Sequence, residues 1–414
     1  MGVADINALQ AILKQKYTQR RFDLLCYKDN PLFALMRKDT SFGGKNKVIG
    51  LRYGVTAGQG TVFGTALANV TASAYGGFVV TRAYDYAVGG ISGEMVYAAK
   101  GNENALVEGL TKEIDGAIHA CTRSIAINMF RNGGGQRGQV SSGSTVGSTT
   151  ISLANITDVT NFEVGMVLQS SSDDGSPVAP AGVRTGTVTI TKVDRNLGNL
   201  TGAANWNAGI PAIATGDYLF RQSDYANTIK GLSAWVPASA PPSNDSFFTV
   251  NRSVDATRLA GINYNGQGGP IEESCIEVAA RGAREGASFD YLFMNPLDWS
   301  KLVKALGAKV IYERIQEARG AGGTTVPVGF KAVLIDGAKG PIRAVADVNC
   351  PLGQGFMVQL DTWALESAGP APMILEQDGL KIRADPTNDV FYTRVGAYHQ
   401  VTCEAPGWNA NITW

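Results

Sequence analysis

Between Asp39 and Asp85 the chain carries no carboxylate, yet it holds Lys45, Lys47, Arg52 and Arg82. Within that span Ile49, Leu51, Tyr53 and Val55 alternate with Gly50, Arg52 and Gly54. Phe78, Val80, Arg82, Tyr84, Tyr86 and Val88 make a second series of period two. Such alternation marks strands with one buried face. Residues 56–74 between the two series are uncharged and mostly Gly, Ala, Thr and Val. The pattern predicts an extended hairpin with a neutral tip, each ten-residue arm reaching about 33 Å. An isolated hairpin is marginal in water, so this one must lie on the same chain or on a neighbour.

A second strong signal follows. Leu106, Leu110, Ile114, Ile118, Cys121, Ile125 and Met129 recur every three or four residues and predict one amphipathic helix over 102–131. Glu103, Glu108, Glu113 and Asp115 fall early, and Arg123 and Arg131 late, as the helix dipole favours. Gly133-Gly134-Gly135 predicts its end. Thirty residues span about 45 Å.

The segment 144–222 changes character. A Ser/Thr-rich opening leads to short β-like runs, such as Thr187 to Val193 and Tyr218 to Phe220, separated by turn clusters like Asp173-Asp174-Gly175-Ser176-Pro177. It reads as a small all-β insertion. Residues 223–414 read as mixed α/β. Ile271, Cys275, Val278 and Ala279 suit a helix face, and Leu297 to Leu306 a helix after Asn295-Pro296. Val326 to Ile335, Phe356 to Leu360 and Val390 to Val401 suit strands.

Composition narrows the function. Charged residues are 17%, against about 25% in ordinary domains, and glycine is 50 of 414. Few charges and many glycines suit long loops and a surface covered by neighbours. Net charge is zero, so the whole chain makes no strong electrostatic demand for nucleic acid. Only residues 1–38 are locally basic, with Lys14, Lys16, Arg20, Arg21, Lys28, Arg37 and Lys38 against Asp5, Asp23 and Asp29. The segment reads as an arm that either touches phosphates or is simply solvated. Cys26, Cys121, Cys275, Cys350 and Cys403 form no C-x-x-C pair and predict buried thiols in a reducing compartment. No signal pattern and no run of 18 apolar residues occur, which predicts cytosolic synthesis and no membrane span.

Several stretches resemble the major capsid proteins of tailed bacteriophages, of the Hong Kong 97 type. They are Asp29-Asn30-Pro31-Leu32-Phe33, Phe289 to Pro296 with Trp299, Val348-Asn349-Cys350-Pro351-Leu352-Gly353, and the run from Asp361-Thr362-Trp363 to Asp378-Gly379-Leu380-Lys381-Ile382-Arg383. The order of arm, glycine-rich hairpin, long helix and mixed domain is that family's order too. The resemblance implies an α+β fold with an N-terminal arm over 1–40, an E-loop hairpin over 41–84 and a peripheral domain over 85–143 holding the spine helix 102–131. The inserted all-β domain covers 144–222, the axial domain 223–375, and 376–414 returns to the peripheral domain. It implies inter-subunit contacts by Lys45, Lys47, Arg52, Gly58, Gly60, Phe63, Gly64 and Arg82, and a DNA-facing arm with Lys14, Lys16, Arg20 and Arg21. Implied partners are further copies of the chain in hexamers and pentamers, a portal, scaffolding or decoration proteins, and non-specific double-stranded DNA, with no membrane. The implied location is the virion, after assembly in the host bacterial cytoplasm. Some members cross-link through an E-loop lysine; residues 56–74 contain none, so that chemistry is not carried over.

Catalytic motifs are absent: no G-x-S-x-G, H-E-x-x-H, Walker A or EF-hand pattern occurs. Residues 133–138 match G-x-G-x-x-G, but a helix precedes them where phosphate binding needs a strand. His119 and His399 read as structural. Glu272-Glu273 and Asp173-Asp174 read as solvated pairs, with calcium an alternative at the latter. Aromatic residues Tyr17, Phe22, Tyr27, Phe33, Tyr53 and Phe63 suit packing on neighbours more than base stacking. No catalytic residue, cofactor or metal site is expected. Two rival readings stay open: an encapsulin-like nanocompartment shell, and a β-rich phage surface or tail protein binding glycans through 144–222.

Overall fold

The computed structural model describes residues 29–94, 103–177, 180–307, 311–319, 325–376 and 379–414. Lys14, Lys16, Arg20 and Arg21, together with Tyr17, Phe22, Cys26 and Tyr27, lie outside the described residues.

The chain enters the core at once. Pro31–Leu35 forms α1, with Pro31 in the first turn, where a missing N–H leaves nothing unsatisfied. Pro31 to Met36 are all buried. β1, Arg37–Asp39, then pairs in parallel with residues 364–366. The reading of 1–40 as an arm is therefore corrected at its end: 31–39 belong to the body. The apolar run Pro31-Leu32-Phe33-Ala34-Leu35 is the reason, since its burial fastens the segment.

β2, Asn46–Arg52, and β3, Tyr75–Thr81, form the expected hairpin, with Asn46 opposite Thr81 and Arg52 opposite Tyr75. Between them the tip holds a short helix, α2, Phe63–Ala68. β4, Ala83–Ser92, follows after Arg82 but joins a different sheet. The second alternating series is thus two strands, broken at Arg82. That guanidinium donates to the carbonyls of Phe42 and Gly44, at 2.9 and 2.7 Å, and lies over the Phe42 ring.

The long helix, α3, runs Glu103–Phe130. Its stripe residues Ile114, Ile118, Cys121, Ile125 and Met129 are buried, in part against β4. Gly89 of β4 permits this approach, because a Cβ there would lie 2.6 Å from the Glu113 carbonyl oxygen. The helix ends before Gly133, whose φ of +86° suits a residue without Cβ.

Six strands follow: β5 Gln136–Gln139, β6 Thr150–Ser152, β7 Val167–Ser171, β8 Val188–Asp194, β9 Asn199–Gly202 and β10 Tyr218–Arg221. They form one antiparallel sheet in the order β5-β10-β7-β8-β9-β6, with its own core around Phe162, Leu168, Ile190, Leu200, Trp206 and Leu219. The first strand lies ahead of residue 144, where the change in composition had put the start. Charge pairs fasten this module to the body. Arg131 meets Asp158 at 2.7 Å, Arg123 meets Glu163 at 2.9 Å, and Arg221 bridges Asp85 and Asp224 at 2.9 Å each.

The next part holds β11 Ile262–Asn265, α4 Ile271–Arg284, β12 Tyr291–Met294, α5 Pro296–Leu306, β13 Ile311–Arg319, β14 Thr325–Gly337, β15 Gly340–Ala346 and β16 Gln354–Val358. Glu272 and Glu273 lie in the first turn of α4 and Arg281 and Arg284 in its last, complementing the dipole. Ile271, Cys275, Val278 and Ala279 are its buried face. Asn295 caps α5 by accepting from the Leu297 N–H. The remaining strands are β17 Trp363–Ser367, β18 Met373–Ile374, β19 Arg383–Ala384, β20 Val390–Cys403 and β21 Ala410–Thr413.

β20 is the spine of the body sheet. It pairs with β4 from Ala83 opposite His399 to Ser92 opposite Val390, and also with β17, β18 and β19. A seven-stranded mixed sheet runs β11-β21-β16-β12-β15-β14-β13. These sheets draw on both the expected axial segment 223–375 and the expected return over 376–414. The chain crosses to the body sheet already at Trp363, and its last strand, β21, goes back between β11 and β16. Trp363 to Ser367 are all buried, so both faces of β17 are covered.

Candidate assembly surface

The base of the hairpin rests on its own chain. Phe78 and Val80 are fully buried, with Ile49 and Leu51 packed beside them. The Phe78 ring stands edge-on to Trp235 at 5.0 Å, and the Val79 N–H donates to the Phe248 carbonyl at 3.0 Å. Beyond Arg52 and Tyr75 the tip is held mainly by itself: the Tyr53 N–H donates to the Ala74 carbonyl, and the Ala57 N–H to Thr71 Oγ1. α2 buries none of its residues. Phe63 is 82% exposed, and Val62, Leu67 and Val70 each exceed 60%. Phe63 and Leu67 are four apart and share one face. A neutral apolar tip can be covered without stranding a charge, and contiguous exposed apolar surface marks an interaction site. Covering Phe63 and Leu67 would contribute about 1.5–3 kcal/mol each.

The basic residues of the hairpin divide. Lys47 Nζ lies 2.7 Å from Glu366 and 3.6 Å from Asp39. Burial opposes its charge, but these two carboxylates outweigh it and hold its pKa above the usual lysine value. Arg82 is committed to Phe42 and Gly44. Within the chain, both brace the hairpin base. Lys45 and Arg52 are exposed and, among the described residues, make no ion pair. The tip glycines are not equivalent. A Cβ on Gly58 would lie 2.9 Å from Val70 Cγ2, and one on Gly60 3.2 Å from the Ala66 nitrogen. Gly58 and Gly60 therefore serve close packing within the tip, while a Cβ on Gly64 would meet open space.

A second exposed face went unseen in the sequence. Tyr84, Tyr86 and Val88 project from the outer side of β4, between 53% and 65% exposed. Tyr84 and Tyr86 both stand edge-on to Tyr398 of β20. Burial, then Tyr398 beside it, pushes the Tyr86 phenol up to about 12. Continuous alternation through Arg82 hid the change of sheet.

Three of the stretches that resemble the capsid family converge on one point. Asp347 Oδ2 accepts from the Leu32 N–H at 3.2 Å, and Asn349 Nδ2 donates to Asn30 Oδ1 at 3.0 Å. Asn295 Nδ2 donates to the Cys350 carbonyl at 2.9 Å. Burial pushes Asp347 up to about 6, against the pull of the Asn349 and Leu32 N–H groups. The junction fixes the chain entering at residue 30 to the far end of β15.

The remaining polar candidates have structural surroundings. Asp173 accepts from the Gly175 N–H and Tyr225 hydroxyl, and Asp174 from Asn132 and Ser176, so both organise the turn. Gly134 within 133–138 packs against the Asp174 carbonyl. His119 is exposed. His399 is buried, neither ring nitrogen has a partner among the described residues, and burial pushes its pKa down to about 4. Cys121, Cys275, Cys350 and Cys403 are buried, and burial pushes the Cys275 and Cys403 thiols up to about 12. Among the described residues no group of three His, Cys, Asp or Glu could hold a metal ion, and no helix is long and apolar enough to cross a membrane.

The body is α+β, and its finger leaves neutral apolar residues uncovered. No protein-family model matches the sequence, and no curated protein matches it. Among solved structures, the chain is similar to one in the capsid asymmetric unit of cyanophage A-1(L). Identity is 12%, the match covers 94% of this chain and 93% of that one, and the TM-score is 0.53. Lower-scoring likenesses include a Mycobacterium phage Ogopogo chain, at 8% identity, 93% and 92% coverage and TM-score 0.41. The capsid of a native GTA particle gives 6%, 92% and 88%, and 0.43. The fold is thus one shared with the cyanophage A-1(L) capsid chain.

Proposed function

We propose that this chain is a major capsid protein that assembles into the icosahedral head shell of a tailed phage around double-stranded DNA. The observation that carries the reading is the hairpin: a base fastened to its own core and a tip whose apolar residues are left uncovered. The shared fold with the cyanophage capsid chain supports it. In this reading the tip lies across an adjacent copy, with Phe63 and Leu67 as its anchors and Lys45 and Arg52 at its flank. The contact is heterologous, so it repeats around rings of copies, hexamers and pentamers. Many modest contacts of this kind add by multivalency. The six-stranded module lies on the outer surface or braces neighbours, and the arm with Lys14, Lys16, Arg20 and Arg21 faces DNA. A portal and scaffolding or decoration proteins complete the virion, which assembles in the bacterial cytoplasm. The chain performs no catalysis and takes no cofactor.

Electron microscopy of the full-length protein, expressed alone and with its neighbouring genes, tests the proposal. Closed hollow shells are expected, containing DNA when made with the packaging genes. Elongated spikes or soluble trimers would refute it in favour of a surface or tail protein, and shells filled with a cargo enzyme would make the chain a nanocompartment subunit.

A further inference from the structure

Four parts of the molecule meet around an open cavity of about 680 Å³: the end of α3, the six-stranded module, the segment 230–252 and strands β16 and β21 of the seven-stranded sheet at Gln354 and Asn411. That volume suits a small ligand. Three cations, Arg131, Lys230 and Arg252, and two carboxylates, Asp174 and Asp245, line it. Four of these five charges have partners. Arg131 pairs with Asp158 at 2.7 Å, Arg252 with Asp245 at 2.8 Å, and Asp174 accepts from Asn132 at 2.6 Å. Lys230 is left over. Among the described residues no oxygen lies within hydrogen-bond distance of its Nζ, which sits 5.6 and 5.7 Å from the ring centroids of Phe247 and Phe248. A half-buried ammonium facing aromatic rings is partly compensated by them, but it keeps three donors unused. Burial and the neighbouring Arg252 push its pKa below the ordinary lysine value. Ser239 and Ser246, both exposed, line the same space, and neither side chain makes a hydrogen bond among the described residues. Of the wall residues, Arg131 keeps its buried Nε donor without a partner among the described residues, and Gln354 and Asn411 likewise keep their Oε1 and Oδ1 acceptors.

We propose that this cavity binds a small oxyanion, a phosphate or a carboxylate, with Lys230 as its principal contact and Ser239 and Ser246 as further donors. The oxyanion supplies the acceptor that Lys230 lacks. The site stands independently of whether the chain forms shells.

The test uses the full-length protein, with sodium phosphate or sodium succinate at millimolar concentration against sodium chloride at matched ionic strength. A ligand that binds only the folded chain raises its melting temperature. The expected result is a rise of a few degrees with at least one of the two oxyanions over chloride, retained in Lys230→Arg and lost in Lys230→Met. Whichever probe acts identifies phosphate or carboxylate as the ligand chemistry. Acetylation of Lys230 by a succinimidyl ester, followed by mass spectrometry, should slow several-fold in the presence of that oxyanion. This second reading needs no variant, so it decides the matter if Lys230→Met fails to fold. No difference from chloride with either oxyanion, an equal shift in a folded Lys230→Met, or unchanged acetylation of Lys230 would overturn the site.

Discussion

Two residues on the β4–β20 seam control the body core in different ways. Gly89 lets α3 approach the sheet, and Gly89→Ala would press a methyl against the Glu113 carbonyl oxygen. Overpacking of this kind costs about 1–3 kcal/mol, so urea denaturation should place the variant lower by that amount with an unchanged m-value. His399 acts through its charge. Burial lowers its pKa from 6.5 to about 4, so the folded chain resists a proton that the unfolded chain accepts. Its neutral-form contribution is complete above pH 6.5 and is lost as pH falls from 6.5 towards about 4. Linkage puts the loss on the order of 3 kcal/mol. His399→Met fills the site without a titrating group, and neither imidazole nitrogen has a bond to lose among the described residues. The variant should therefore fall less steeply in stability than the parent across that window, as denaturation at stepped pH would read.

At the scale of elements, the hairpin separates folding from assembly. Its base contributes Phe78 and Val80 to the core, whereas α2 contributes nothing to it. Phe63→Asp with Leu67→Asp should change the stability of the isolated subunit by no more than about 0.5 kcal/mol, as exposed substitutions do. The same pair should abolish shells in sedimentation and electron microscopy. Deletion of 56–74 should act likewise, leaving a folded subunit. Normal particles from either variant would remove the tip from assembly.

For the molecule as a whole, the six-stranded module has a core of its own and meets the body largely through charges. Asp85, almost wholly buried on β4, is the body's side of the Arg221 bridge. Asp85→Ala would leave Arg221 with Asp224 alone. Loss of a charge-assisted bond of this kind costs about 2 kcal/mol. The expected readout is faster proteolysis in the segments flanking the module, residues 131–136 and 221–231, with the fragments of each core still intact.

Local pattern was sufficient for the long helix, the hairpin, α5 and the strands at 188–194 and 390–403, because each carries a hydrophobic period over enough residues to settle its type. The neutrality of 56–74 was equally plain, since charge is a property of residues and needs no fold. Partnership was not. The alternation from Phe78 to Val88 is continuous in the sequence, yet Thr81 pairs with Asn46 and Ala83 with His399, because period two says which side chains share a face and nothing about which strand lies alongside. The same limit hid the use of Lys47 and Arg82, whose partners Glu366 and Phe42 lie far from one or both in the chain. Folding decided that these cations brace their own subunit, that residues 31–36 lie in the core, and that Lys230 faces a cavity without an acceptor. Each depends on contacts between distant segments, and pairing energy of that kind is set only when the sheets close.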